Sequence, residues 1–490
     1  MCVLILLLLP SAPVRAATGN EYGCDFDTTA EAAVLININT GEIIYEKNPD
    51  ERLAPASTSK IMSAALGLSM CSDPDNTIVT VPNYIWNEFS GLNVSTADLQ
   101  PGEELTMREL IYCMLLQSAN EGASTLAYHY GWDQFISAMN NKAKALGCKD
   151  TFFSDPHGVF SIEHGGNYTT AMDLAKITLW ALKVPGFWEI CSESRHYKEE
   201  DNKHSGVTLV STNYMQDPTS DYYTNYIRGI KTGTTDEAGR CFVSAAVYKD
   251  EAYLLVLLGC PLSENEKPWP GTDTALNSTT FTETRLIYDW VFDNLKQINI
   301  VNTNSVVADI ELKYSESADY LLLYPDGELF TTVNVNEDIE NVKTEYICDL
   351  PDAIEAPVKK RQVIGEAEVY RAGKLIGKVN LVSRSEAEFS RMIFLQDNIT
   401  KILTGKIAIT VYVIAGILAA IYIYTMLVVV PRKQKEHRRK MLQKAQQQNR
   451  ALKSAEVRPD DERKTLRPET LHKSRSENDD TLYGKDRIDF

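Results

Sequence analysis

Redox and metal signatures are missing from this chain. Its nine cysteines are scattered over 490 residues with no C-x-x-C pair and no zinc-type spacing. That excludes a thioredoxin-like centre and a cysteine-based zinc site. Seven histidines occur without a G-x-S-x-G turn, so a nucleophile elbow served by a histidine base is not written here. No metal-ligating cluster and no cofactor motif is legible, and neither a cofactor nor a metal is expected. Basic charge is scarce over residues 1–430, where 32 Lys and Arg face 56 Asp and Glu, net −24. Such an acidic body argues against nucleic acid as a partner and against tight binding to anionic polymers.

Long apolar runs are equally few. Residues 2–9 form a short one ahead of Val14-Arg15-Ala16, with no Lys or Arg before it. It reads as a signal peptide over residues 1–16. Residues 407–430 are 24 positions without a charge, long enough to cross a bilayer. Arg432, Lys433, Lys435, Arg438, Arg439 and Lys440 follow it. The positive-inside rule then places residues 431–490 in the cytoplasm. That tail holds 17 basic and 11 acidic residues, net +6, which suits an anionic inner leaflet. Its distal part has the composition of a disordered segment, and a cytoplasmic partner is expected for it.

Chemistry concentrates at Ser57-Thr58-Ser59-Lys60, directly ahead of an apolar run at 61–68. Read as a helix, this puts an amine beside a hydroxyl, because residues three apart share a face. The helix start adds free N–H groups and positive dipole. This is the only S-x-x-K of the chain. Ser118-Ala119-Asn120 and the only K-T-G, Lys231-Thr232-Gly233, follow in order. Two further S-x-N triplets fall after the K-T-G. A third, Ser211-Thr212-Asn213, is in order but follows a strand-like run. Ser118 instead closes a helical pattern, where a loop can project into a cleft. Ser118 and Asn120 are therefore preferred, with Ser211 as the fallback.

The set S-x-x-K, S-x-N, K-T-G resembles that of the serine-type D-alanyl-D-alanine carboxypeptidases among the low-molecular-mass penicillin-binding proteins. The stretches at 55–62, 116–121 and 229–235 carry the likeness. Asn39-Thr40-Gly41, His157-Gly158, residues 168–174 and 238–241 support it, and it spans roughly residues 28–295. Ala119 stands where the family usually has Gly, and Asp155-Pro156-His157 where Asn-Pro-x is usual.

The resemblance implies Ser57 as nucleophile and Lys60 as its base. An ordinary lysine titrates at about 10.4, so Lys60 must be lowered by burial or by a second cation such as Lys231. Ser118 would relay a proton to the leaving amine. Asn120 would hold the substrate amide, and Lys231, Thr232, Gly233 and Thr234 the terminal carboxylate. The N–H groups of Ser57 and Thr234 would form the oxyanion hole. The implied partners are peptidoglycan stem peptides as substrate, β-lactams as inhibitors and the lipid bilayer through 407–430. No Leu-Asn pair lies between Asn120 and Lys231, so the deacylating E-x-x-L-N of class A β-lactamases is missing. A D,D-endopeptidase and a non-catalytic wall-sensing receptor remain alternatives. Among the ectodomain histidines, His157 and His164 are expected to make structural hydrogen bonds.

The implied fold is α+β: an antiparallel sheet with packed helices and an inserted helical region, penicillin-binding/β-lactamase-like. A small β-domain and one transmembrane helix follow. Apolar strands near 33–38, 42–46, 229–231, 241–247 and 253–258 would build the sheet from both ends of the domain. The expected division is a signal peptide at 1–16, a catalytic domain at 17–298, a β-domain at 299–395, a transmembrane helix at 407–430 and a tail at 431–490. Cys241 and Cys260 fall on or beside neighbouring strands, where a bridge and buried free thiols are both open.

Overall fold

The structure is a computed structural model that describes residues 22–159, 166–262, 279–337 and 343–455. The expected signal peptide, His164 and the tail beyond residue 455 lie outside the described residues. The chain divides into two units, Met1–Ser390 and Arg391–Phe490.

Alternating side-chain direction into two cores explains the central sheet of the first unit. Strands β1 (Ala32–Asn37) and β2 (Ile43–Lys47) come from the N-terminal side. Strands β3 (Ile227–Thr235), β4 (Gly239–Tyr248) and β5 (Glu251–Cys260) come from the far side. The order is β2-β1-β5-β4-β3, antiparallel throughout. β1 is buried over its whole length, as expected of a strand covered on both faces. Ala32, Val34 and Ile36 enter one core, and Ala33 and Leu35 enter the other. On β5, Leu254, Val256 and Leu258 divide from Tyr253, Leu255 and Leu257 in the same way. Period-two side-chain direction thus builds two cores from one apolar run.

Helices cover the first of these faces. They are α1 (Lys60–Met70), α2 (Met107–Leu115), α3 (Asn120–Tyr130), α4 (Trp132–Ala145), α5 (Ala171–Ala181) and α6 (Phe187–Ser192). All lie between β2 and β3, the inserted helical region expected from the sequence. Thr106 caps α2 by accepting from the Glu109 amide, and Thr170 caps α5 by accepting from Asp173. α1 runs through the core, buried from Lys60 to Leu68. A Cβ on Gly67 would lie 2.8 Å from Leu126, so α1 and α3 touch at close range. The opposite face is closed by α7 (Thr279–Asn294), whose Ile287, Tyr288 and Val291 are buried.

The thiol question resolves through the same alternation. Cys241 belongs to the helical-side core and Cys260 to the core beneath α7. Lying on opposite faces, they remain free thiols. Burial pushes the Cys241 thiol up to about 12.

A six-stranded sheet then forms the small β-domain, with Tyr320–Asp326 and Lys374–Ser383 among its strands. Leu321, Leu323, Val369 and Leu381 centre its core. A separate two-stranded ribbon, Leu295–Asn299 paired with Phe330–Asn334, meets the catalytic sheet near the β1–β2 turn. Glu42 accepts from Thr331 Oγ1 and the Thr332 amide, both at 2.6 Å, and Asn37 Nδ2 donates to Thr332 Oγ1 at 2.9 Å.

The second unit consists of helices: α8 (Arg391–Thr404), α9 (Lys406–Tyr424), a π-helical turn (Thr425–Val429) and α10 (Val430–Ala455). The continuous helix from Lys406 is long and apolar enough to cross a membrane. No side chain of α9 is buried by protein.

Candidate active site

Ser57 sits in a single 3-10 turn, Ala56–Ser59, that leads directly into α1. Lys60 opens α1 and is fully buried. Its ammonium reaches Ser57 Oγ at 3.0 Å, Asn120 Oδ1 at 2.7 Å and the His157 carbonyl at 2.9 Å. These are acceptors without formal charge. Burial holds the Lys60 pKa well below the ordinary lysine range, and the neighbouring Lys231 cation lowers it further. Asp155 and Glu121 oppose that shift without reversing it. A neutral amine within hydrogen-bond reach of a hydroxyl is what proton abstraction requires.

Backbone-to-backbone proximity brings β3 to the serine. A Cβ on Gly233 would lie 2.9 Å from the Ser57 amide nitrogen and 3.1 Å from that of Thr58. Only glycine lets the strand pass so close. The Ser57 N–H has no hydrogen-bond partner among the described residues. Gly158 makes the matching contact from the other side. Its φ is +85°, and a Cβ there would lie 1.8 Å from the Ala56 carbonyl oxygen. The serine turn is thus clamped between two glycines.

Along β3, Lys231 and Gly233 face the interior, while Thr232 is half-buried and Thr234 exposed. Lys231 donates to the Thr232 carbonyl at 3.0 Å and has no carboxylate partner among the described residues. Burial lowers its pKa to about 7. Thr232 Oγ1 lies 2.6 Å from Thr212 Oγ1. β3 is an edge strand of the sheet, so its outer backbone groups are open to an added extended chain.

The two S-x-N loops separate by what they touch. Asn120 opens α3, accepts from Lys60, and donates both its amide and its Nδ2 to the Ser95 carbonyl, at 3.1 and 2.9 Å. Ser118, two residues earlier, is buried in the left-handed region at φ +60°, a conformation that costs a non-glycine residue energy. Its hydroxyl has no hydrogen-bond partner among the described residues. In the other loop, Ser211 accepts from the Asn213 amide, and Asn213 donates to the Gly229 carbonyl. That loop braces β3 and makes no contact with Lys60.

Several positioning residues carry no role in the sequence reading. Glu121, buried beside Asn120, accepts from Thr96 Oγ1 and the Ala97 amide at 2.7 Å each. It thereby fixes the loop that presents Ser95. Burial raises its pKa. Asp155 Oδ1 accepts from the His157 and Gly158 amides. Asn167 donates to Ser59 Oγ at 3.0 Å. The His157 ring accepts from the Val159 amide through Nδ1, so Nε2 carries the proton that meets Glu88 at 2.9 Å. His157 therefore meets Lys60 through its backbone carbonyl, and its ring makes structural hydrogen bonds as expected. The signal for this loop was the His157-Gly158 pair. Ser95 and Asn167 carried none.

A serine, a buried amine without a counter-ion and a free amide at a helix start define a serine–lysine acyl enzyme on an α+β fold. The comparisons give the family. Residues 17–261 match the profile described as D-alanyl-D-alanine carboxypeptidase, and residues 295–388 match the penicillin-binding protein 5 C-terminal domain. The chain belongs to the D-alanyl-D-alanine carboxypeptidase family. It is 25% identical over 386 residues to D-alanyl-D-alanine carboxypeptidase DacF of Bacillus subtilis, covering 78% of this chain and 92% of that protein. It is 27% identical over 367 residues to DacA of Escherichia coli, covering 73% and 83%. Among solved structures, a peptidoglycan synthesis regulatory factor (PBP3) from Streptococcus pneumoniae shares the fold with TM-score 0.61 and 22% identity, covering 74% of this chain and 100% of that one. Penicillin-binding protein 5 from Haemophilus influenzae does so with TM-score 0.58 and 23% identity, covering 74% and 99%.

Proposed function

We propose that this protein is a membrane-anchored serine D-alanyl-D-alanine carboxypeptidase that trims the terminal D-Ala from peptidoglycan stem peptides and so limits cross-linking. The observation that carries the reading is Lys60, buried, depressed in pKa and 3.0 Å from Ser57 Oγ. Neutral Lys60 takes the Ser57 proton as Oγ attacks the penultimate D-Ala carbonyl. The oxyanion forms at the Ser57 and Thr234 amides. Collapse breaks the peptide bond, and Ser118 passes the proton from Lys60 to the departing D-Ala nitrogen. Water, deprotonated by Lys60, then attacks the acyl ester and returns Ser57.

Lys231, protonated, anchors the terminal carboxylate with Thr232 and Thr234, and a charge-assisted bond suits that anion. Gly233 keeps β3 close enough for this. Asn120 holds Lys60 in register and turns to the substrate amide on binding. β-Lactams acylate the same serine and inhibit.

The catalytic domain (17–298) and β-domain (299–395) stand outside the membrane after removal of a leader (1–16). The 407–430 helix crosses the bilayer. The tail at 431–490 is cytoplasmic, which the basic residues directly after the helix support, and it meets a partner there.

The test is labelling of the purified protein with a fluorescent penicillin, wild type beside Ser57→Ala. Stable label lost in the variant is expected. Absence of label on folded wild type overturns the reading, and rapid turnover of label marks a β-lactamase. A D-alanyl-D-alanine endopeptidase of Escherichia coli is 28% identical over 259 residues. Release of free D-Ala, rather than opening of cross-linked dimers, separates the two activities.

A further inference from the structure

The triplet Ser211-Thr212-Asn213 supplies neither the nucleophile nor the proton relay, yet its backbone is held at every residue. The Ser211 amide donates to the Ser194 carbonyl at 2.9 Å, and the Thr212 amide donates to the Leu116 carbonyl at 3.0 Å. The Asn213 amide donates to Ser211 Oγ at 3.1 Å, and Asn213 Nδ2 donates to the Gly229 carbonyl at 2.9 Å. Leu116 stands two residues before Ser118, and Gly229 two before Lys231. Thr212 is therefore fixed between the Ser118 loop and β3, and it is half-buried there.

Its hydroxyl meets the anion end of the site. Thr212 Oγ1 and Thr232 Oγ1 lie 2.6 Å apart, and neither has another hydrogen-bond partner among the described residues. Each hydroxyl carries one proton. One proton fills the bond between the two oxygens, so the pair keeps one to spare. Thr232 is half-buried on the edge strand, beside Lys231, whose ammonium has no carboxylate partner among the described residues. A spare O–H next to an unpaired cation suits an anion.

We infer that Thr212 is a positioning residue for substrate selection: it donates its proton to Thr232 Oγ1 and so commits the Thr232 proton to the terminal carboxylate of the peptide. A hydroxyl rotates to suit its partners. Accepting from Thr212 keeps the Thr232 proton off the protein and leaves it for the chain that adds along β3. Without Thr212, Thr232 has no partner to set its rotation, and the peptide must order it on binding. A free carboxylate accepts more strongly than a neutral carboxamide, so this donor favours peptides with an open C-terminus. The inference rests on the carboxypeptidase reading and gives a specificity role to a residue outside the three motifs.

The experiment uses the full chain and two peptides, diacetyl-lysyl-D-Ala-D-Ala and the same peptide closed as a C-terminal amide. Their kcat/KM ratio gives the preference for the acid. Thr212→Val keeps the shape of the side chain and removes the hydroxyl. Its acid-over-amide preference is expected to fall about fivefold, chiefly through a higher KM for the acid, and Thr212→Ser is expected to restore it. Circular dichroism and Tm check that each variant is folded. An unchanged preference in Thr212→Val overturns the inference. So does an equal loss on both peptides, which is what a mere brace for β3 would give. Calorimetric titration of both peptides into Ser57→Ala, with and without Thr212→Val, reads the same preference as affinity and decides the matter where amide turnover is too slow to follow. If the wild type hydrolyses neither peptide, the carboxypeptidase reading fails separately, and an affinity ratio that Thr212→Val leaves unmoved still rejects the role of Thr212.

Discussion

Two buried lysine environments in this domain behave in opposite ways. Lys198 is nearly as inaccessible to solvent as Lys60, though less deeply buried, and its Nζ donates to Glu103 at 3.0 Å and also to Asp201. Burial alone would lower its pKa, but those hydrogen bonds and charges raise it. Lys60 has only uncharged acceptors and a second cation nearby, and its pKa falls. Burial by itself therefore does not set the direction of a lysine's shift; the carboxylates at the end of the side chain decide whether burial is offset. Lys198 is a paired cation joining the Arg195–Lys198 strand to the loop at Glu103. Lys60 is a reagent.

The widest separation between the two comes from removing each amine or its partner. Lys60→Met is expected to lower the rate of penicillin acylation by about 10³-fold or more while circular dichroism stays native. Retained acylation would mean that another group takes the serine proton. Glu103→Gln is expected to do the reverse. It removes one of the two carboxylates facing Lys198 and destabilises the fold by about 3 kcal/mol, read as a lower urea midpoint, with acylation by penicillin largely preserved. A loss of acylation at unchanged stability would erase the distinction drawn here.

Lys231 sharpens the comparison through pH. Its pKa of about 7 in the folded protein lies below the roughly 10.4 of an exposed lysine. Between these values the unfolded chain binds more protons than the folded one, so stability rises with pH across that window. Below 7 the penalty is complete. Lys231→Met is accordingly expected to raise Tm by a few degrees at pH 6, with the advantage shrinking toward pH 10, while anchoring of the substrate carboxylate is lost. In the wild type, kcat/KM for a carboxylate-bearing peptide declines as free enzyme loses the Lys231 proton from about pH 7 upward. A Tm difference that is flat with pH would show that Lys231 is not depressed.

The fold was largely legible. β1, β4 and β5 appeared as apolar runs with a turn between them, since their length and alternation have no other stable use. The caps Thr106 and Thr170 emerged only with the structure. Ser57, Lys60, Ser118, Asn120 and the Lys231–Thr234 stretch were legible as three motifs in order. The Cys241–Cys260 question was not, because it turns on which face of a strand each thiol meets, and a bulge in the β4–β5 register lies beside Cys241.

Order, spacing and apolar period by themselves determined the family set, the two-sided sheet, the inserted helices and the long apolar helix at 407–430. These are local properties of the chain. What only tertiary structure decided is which groups converge. The Ser95 carbonyl grips Asn120, the His157 carbonyl grips Lys60, and Gly158 and Gly233 press the serine turn from both sides. The S-x-x-K motif marks Lys60 and no motif marks Lys198, but sequence reveals the protonation of neither. Their protonation differs because neighbours far along the chain bring, or withhold, a carboxylate at the end of the side chain.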